Sequence, residues 1–188
     1  MCDEKLKNGH TKGDTLKKVS SFLFLRKAGE PITGLDAGRP MVVRTPDADF
    51  TLANFMRSHL YSAVATLKIG MDILLKEEHV AVDSLMGHGG FFKTPVVGQR
   101  VMAAGMNAPI TVMDTASEGG AWGMALLAAY MLSKKDGQSL GDYLDSRVFA
   151  ERKSETMEPD PADVAGFETY TKQYQACLAA EKAAVQAF

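Results

Sequence analysis

Residues 83–100 read DSLMGHGGFFKTPVVGQR. An apolar stub, Leu85-Met86, runs into Gly87, Gly89 and Gly90, then two phenylalanines, then Thr94-Pro95 and a second apolar segment. The pattern predicts a buried strand, a glycine turn, and a helix from Thr94 to about Met106. Thr94 supplies the N-cap and Pro95 the first turn, and Asn107 and Pro109 end the helix. Glycine lacks a Cβ, so it admits close neighbours and backbone angles that other residues avoid. A helix opening behind such a turn aims unpaired N–H groups and its positive dipole end into the same space. The turn therefore serves either tight packing or an anion, and a short glycine motif alone leaves both readings open.

The arrangement recurs. ITVMD, Ile110 to Asp114, is a β-branched strand, followed by TASEGG and an apolar helix from Ala121 to about Ser133. Strand, glycine turn and helix, twice over, argue for an α/β fold with parallel strands covered by helices. Paired turns at the C-terminal ends of neighbouring strands mark the crevice where open α/β sheets hold ligands. Thr115 and Glu118 fit a capping box, which is the structural role for that glutamate. Gly119 and Gly120 are poor helix formers, so their place in a first turn makes sense where a ligand or another backbone approaches. Ala121, Gly123, Ala125, Ala128 and Ala129 would let the helix lie close to the sheet.

Upstream, Met56, Leu60, Val64, Leu67, Met71 and Leu74 step by four and three, an apolar stripe on a long helix from about Asp49 to Glu78. Asp49 or Thr51 can cap it. Gly70, costing roughly 1 kcal/mol against Ala, implies a close neighbour. SFLFL (Ser21 to Leu25) and MVVR (Met41 to Arg44) are short strands flanking a stretch rich in turn formers, in which Asp36-Ala37-Gly38 reads as a turn. Ser139 and Asp142 open a helix to about Phe149. Asp160-Pro161 opens the last, with Val164, Phe167, Tyr174, Leu178 and Val185 on one stripe. Residues 1–20 read as a polar, mobile arm, and 21–188 as one domain.

The chain has 188 residues and a formal net charge of −2, so there is no global basic field for nucleic acid. Lys5, Lys7, Lys12, Lys17 and Lys18 are interleaved with acids. Cys2 and Cys177 form no metal pattern or disulfide framework, which favours a reducing cytoplasm. The start is too polar for a signal peptide, and no apolar run is long enough to span a bilayer. The longest, Ala121 to Leu132, suits a buried core helix. His88 reads as a turn residue, Lys93 as solvated, Asp114 as a cap and Trp122 as core. Phe91 and Phe92 could stack on a base, although packing accounts for at least one of them.

The stretch LMGHGGFFKTPVVGQRVMAAGMNAPITVMDTASEGGAWGMALLAAYM, residues 85–131, resembles the C-terminal domain of the FGGY carbohydrate kinases, especially the xylulokinase-like ones. Gly87, Gly89 and Gly90 match that family's glycine loop, Gln99 its helical glutamine, and Glu118, Gly119, Gly120 and Gly123 its second turn. The resemblance implies an actin-like ATPase (ribonuclease H-like) half-domain, a short sheet covered by helices. It implies ATP with magnesium, a sugar substrate and phosphoryl transfer to a sugar hydroxyl, with Gly87, Gly89, Gly90, Phe92, Thr94, Gln99, Glu118, Gly119 and Gly120 contacting the nucleotide. His88 and Phe91 depart from the family pattern. The family's Asp-x-Gly-Thr phosphate loop and aspartate base, which belong to an N-terminal domain, do not occur in this sequence. The expectation is therefore an adenosine-binding portion with no catalytic residue or metal ligand of its own. It would be inactive unless completed by an N-terminal domain or by self-association. The alternative is a non-catalytic nucleotide-binding or assembly module.

Overall fold

The computed structural model describes residues 21–24, 28–82, 85–94, 96–114, 119–150 and 153–187, with side chains described from residue 31 onward. The N-terminal arm and the Thr115–Glu118 box lie outside these residues.

In chain order, β1 (Ser21–Phe24), β2 (Ala28–Glu30), β3 (Leu35–Ala37) and β4 (Met41–Arg44) form two small antiparallel pairs, β1 with β4 and β2 with β3. The segment expected to be turn, Asp36-Ala37 included, thus carries two strands of its own. They hinge at the tight turn Pro31–Thr33 and at Gly34, whose φ of +70° suits glycine. Next comes α1 (Leu52–Asp72), continued by a π turn over Ile73–Glu77. Thr51 is its cap: Asn54 N–H donates to Thr51 Oγ1 at 3.2 Å. Then follow β5 (Leu85–Gly87), α2 (Val97–Met106), β6 (Ile110–Met113) and α3 (Gly119–Ser133). After these come α4 (Leu140–Leu144) with a π turn to Phe149, β7 (Ser154–Met157) and α5 (Pro161–Ala187). Ser139 caps α4 as its sequence requires, accepting from Asp142 N–H at 3.1 Å. Asp160 Oδ1 likewise accepts from Ala162 N–H at 2.8 Å to start α5.

The main sheet has the order β5-β6-β7. Parallel pairing of β5 and β6 follows expectation. β7 does not: SETM is a polar strand that periodicity did not mark, and it runs antiparallel to β6. One face of the sheet receives α2, and behind it α1 and α5 complete the core. Phe167 and Tyr170 of α5 meet Tyr61 of α1 with ring centroids 4.9 and 5.1 Å apart. Each such ring, when buried, contributes about 1.5–3 kcal/mol.

Two helices depart from expectation. On α1 the buried face is Ser58, Tyr61, Ser62, Val64, Ala65 and Lys68; Met56, Leu67 and Leu74 of the apolar stripe are exposed. The face turns because α5 offers aromatic rings and a carboxylate rather than a flat apolar wall. Lys68, only 3% exposed, is paired with Asp72 and with Glu168 Oε1 of α5 at 2.8 Å, while Lys76 reaches Asp72 at 3.0 Å. A charge can be buried there because it is matched. The second departure is α3, expected in the core, in which no residue is buried.

Gly105 is where α2 comes closest to α1 and α5. A Cβ there would lie 2.8 Å from Val64 Cγ1 and 3.3 Å from the Phe167 ring. At Gly70 the nearest atom, Ile32 Cγ1, is an ordinary 3.8 Å away. Gly105→Ala is expected to destabilise by about 1–3 kcal/mol, and Gly70→Ala to stabilise by about 0.5–1 kcal/mol. Urea denaturation of the two variants checks both signs.

The hydrogen bond from Lys68 holds the Glu168 carboxyl below the usual glutamate range, against the opposing effect of partial burial. A carboxyl depressed in the folded state stabilises above its unfolded pKa, and that contribution fades as pH falls through the folded value. Glu168→Gln should therefore cost on the order of 1 kcal/mol at neutral pH. The difference from the parent should vanish in acid, as read from denaturation curves across pH 7 to 3.

Candidate nucleotide site

Parallel pairing of β5 and β6 brings the residues after both strands to one end of the sheet. The first turn is built almost wholly from backbone constraints. Gly87 is buried, and a Cβ there would run into the Phe92 ring. That glycine therefore seats a side chain of its own turn. Gly89 has φ +102° and ψ −178°, a region that only glycine occupies readily. The chain then tightens through Gly90–Phe92: Phe92 N–H donates to Gly89 O at 3.1 Å, and Lys93 N–H to Gly90 O at 3.2 Å. The Phe91 and Phe92 rings meet edge to face, 5.6 Å apart.

The helix behind the turn opens later than Thr94 and Pro95 suggest. Val96 takes φ +72°, rare for a β-branched residue, and α2 begins at Val97 with no side-chain cap. Thr94 remains in the loop, half-buried. A Cβ on Gly98 would meet the Phe91 carbonyl oxygen, so the turn folds back onto the first residues of the helix. Nothing in the sequence signalled either feature.

Glu118 lies outside the described residues. Gly119, which opens α3, is placed directly against the first turn: a Cβ there would lie 2.9 Å from His88 Cβ and 3.0 Å from His88 Nδ1. The two glycine turns are thus neighbours, with the exposed His88 at their junction. His88 is more than a turn residue in this arrangement; its flanking glycines were the only available hint. Around the junction, Gly89, Gly90, Gly120 and Gly123 have nothing within 4 Å of where a Cβ would stand. They leave an uncovered ledge of main chain. Phe92 lies beneath it rather than on it.

Gln99 is not on the ledge. It is buried in α2, and its Nε2 donates to Ile110 O at 3.2 Å and to Glu155 O at 2.9 Å, bridging β6 and β7. Asp114 N–H donates to Lys153 O at 3.3 Å, continuing the β6–β7 pairing past the strand. Lys93 is exposed, and Trp122 is half-buried with its ring 6.3 Å from Phe149. A cavity of about 230 Å³ opens beside β5, lined by Leu67 and Met71 of α1, Leu85, Met86 and Gly87 of β5, His88, and Phe92, Met102, Met106 and Ile110. Apart from His88 it is apolar, so it suits hydrocarbon rather than phosphate.

A ledge of bare main chain where a parallel strand pair ends, with a helix opening from each turn, defines a class of nucleotide-binding α/β proteins. The FGGY family of carbohydrate kinases, C-terminal domain, matches residues 15–132, and the chain belongs to this family. No curated protein sequence matches it significantly. Among solved structures it is similar to ligand-bound xylulose kinase from Lactobacillus acidophilus (TM-score 0.60, 20% identity, covering 81% of this chain and 30% of that one). It is also similar to xylulose kinase from Rhodospirillum rubrum (0.64, 18% identity, 95% and 33%) and to Plasmodium falciparum glycerol kinase with ADP (0.65, 15% identity, 96% and 33%). The fold is therefore the α/β, actin-like one of these kinases, with a small mixed sheet against which helices pack. The chain spans about a third of the length of those structures. No helix among the described residues is long and apolar enough to cross a membrane.

The adjacency of the turns has a measurable consequence. Gly119→Ala should destabilise by about 1–3 kcal/mol because the new methyl meets His88. In a His88→Gly background most of that loss should disappear, a coupling that a double-mutant cycle reads directly.

Proposed function

We propose that this chain is the ATP-binding portion of a cytoplasmic sugar kinase of the pentulose type, transferring a phosphoryl group from ATP to a sugar hydroxyl only when completed by a further polypeptide portion. The observation that carries the reading is the contact between Gly119 and His88, which sets two glycine turns side by side with Gly90 and Gly120 open. A glycerol kinase of the same fold holds ADP, which supports the choice of ligand.

The residues suit such a ligand. The open faces of Gly89, Gly90 and Gly120 let a nucleotide reach backbone polar groups, and the start of α3 presents N–H groups to an anion. Glu118, preceding that start, would close the ledge on the ribose side. Magnesium, carried with the triphosphate, would neutralise charge developing on the transferred group. Thr94 and Phe92 bound the pocket, while Gln99 holds α2 against β6 and β7 and so positions the ledge from below. Phosphoryl transfer also requires an acceptor aligned with the nucleotide and a place for its proton. The sequence has neither the Asp-x-Gly-Thr loop nor an assignable base, and this favours, as the second reading, a nucleotide-binding module that does no chemistry.

Calorimetric titration with Mg–ATP tests the site. Gly90→Val and Gly120→Val place side chains in empty space, so each should leave thermal stability intact yet weaken ATP binding by about tenfold or more. Absence of ATP binding by the parent chain refutes the assignment. Appreciable turnover of xylulose or ribulose by the chain alone refutes its incompleteness.

A further inference from the structure

We infer that the free edge of β5, with the apolar flank of α1 beside it, is an acceptor for a β-strand of alternating apolar side chains, donated by the portion of kinase scaffold that this chain does not span. The inference rests on the reading of the chain as part of a sugar kinase, and it names where the remainder attaches.

Three independent observations lead there. The first is hydrogen bonding. β5 has β6 on one side, and no strand among the described residues pairs with its other edge. Leu85 N–H donates to Pro109 O at 2.9 Å, so Leu85 bonds toward β6. In a parallel ladder alternate residues point their amides oppositely, which turns the N–H and C=O of Met86 outward. Such an edge is a template for a further strand.

The second is apolar surface at the same edge. The 230 Å³ cavity runs between Leu85 and Met86 on one side and Leu67 and Met71 on the other. Leu67 and Met71 belong to the stripe that the helical period marks as core. A strand laid along β5 would direct alternate side chains into this cavity and cover the stripe. The third is α3, whose start touches the residue after β5. From Gly119 to Leu132 it bears no charge, yet Met124, Met131 and Leu132 are 70, 76 and 89% exposed. A monomer rarely leaves so continuous an apolar face in water.

The size of the occupant follows from the comparison with solved kinases. Rhodospirillum rubrum xylulose kinase shares the fold over 95% of this chain, but that match accounts for only 33% of the kinase. The remainder of such a scaffold is large enough to supply both the strand and a cover for α3, whereas a second copy of this chain would meet the three-residue β5 with only its own short edge.

The test co-expresses the full chain with the part of the Rhodospirillum rubrum kinase outside its matched third, using that kinase's own third as positive control. The expected result is a one-to-one complex in which the Met86 amide becomes protected from hydrogen exchange. Met86→Pro deletes only the outward N–H, so it should weaken the complex by about tenfold while leaving folding and Mg–ATP affinity unchanged. Met131→Glu should weaken it through α3. The inference is overturned if the control assembles and this chain does not, if neither substitution matters, or if the edge instead builds a Met86→Pro-sensitive homodimer. Complex formation without ATP binding would retain the docking surface and refute the nucleotide reading; ATP binding without a complex would do the reverse.

Discussion

The carboxamide of Gln99 holds the functional end of this molecule together. From within α2 it donates to carbonyls of two strands, Ile110 of β6 and Glu155 of β7, at 3.2 and 2.9 Å. Parallel pairing gives β5 and β6 a common direction, but it does not fix the helix that returns from the first turn. Gln99 supplies that fixation, because leaving its buried amide unpaired would cost a few kcal/mol. α2 therefore has one seat on the sheet, and the loop leading into it is drawn back until the Phe91 carbonyl meets Gly98. The neighbouring turn, following β6, then arrives beside His88. The ledge is set from beneath, by a side chain that has no access to it.

What could be read in the sequence was governed by local chemistry. Thr51, Ser139 and Asp160 start helices because their oxygens can accept from the first N–H groups, whatever surrounds them. MVVR and ITVM are β-branched and became strands. β7 was hidden for the opposite reason. Ser154, Glu155 and Thr156 are exposed on an edge strand, so no apolar alternation was needed, and pairing with β6 alone makes the segment extended. The start of α2 was hidden too, since the positive φ of Val96 is imposed by the returning loop and contradicts the residue's own preference.

The glycines show the same division. Sequence identifies them as special without saying what each one admits. Gly87, Gly98, Gly105 and Gly119 face atoms of this protein: a ring, a carbonyl, a valine and a histidine. Gly90, Gly120 and Gly123 face open space. Only the latter can receive a ligand without displacing protein atoms. The distinction depends on which distant segments meet, a property of the assembled fold. Gln99 illustrates the point in reverse, since the resemblance set it among the nucleotide contacts and its amide is committed to the sheet.

Apolar periodicity describes the contacts a helix is suited to make, and two helices here are suited to more contacts than the described residues supply. On α5 the period and the burial agree at Phe167 and Tyr174, because α1 and α2 cover them. On α1 they part: the Met56–Leu67–Leu74 side is exposed, while Lys68 is buried through its ion pairs. On α3 they part along the whole length. Both discrepancies surround β5, and the one cavity described in detail lies along it. A fold error would scatter such conflicts, and a surface helix would bear charges, as α5 does at Lys172 and Lys182. Conflicts gathered about one unpaired strand have the form of an interface, with a backbone edge at its centre and methionine and leucine on its flanks.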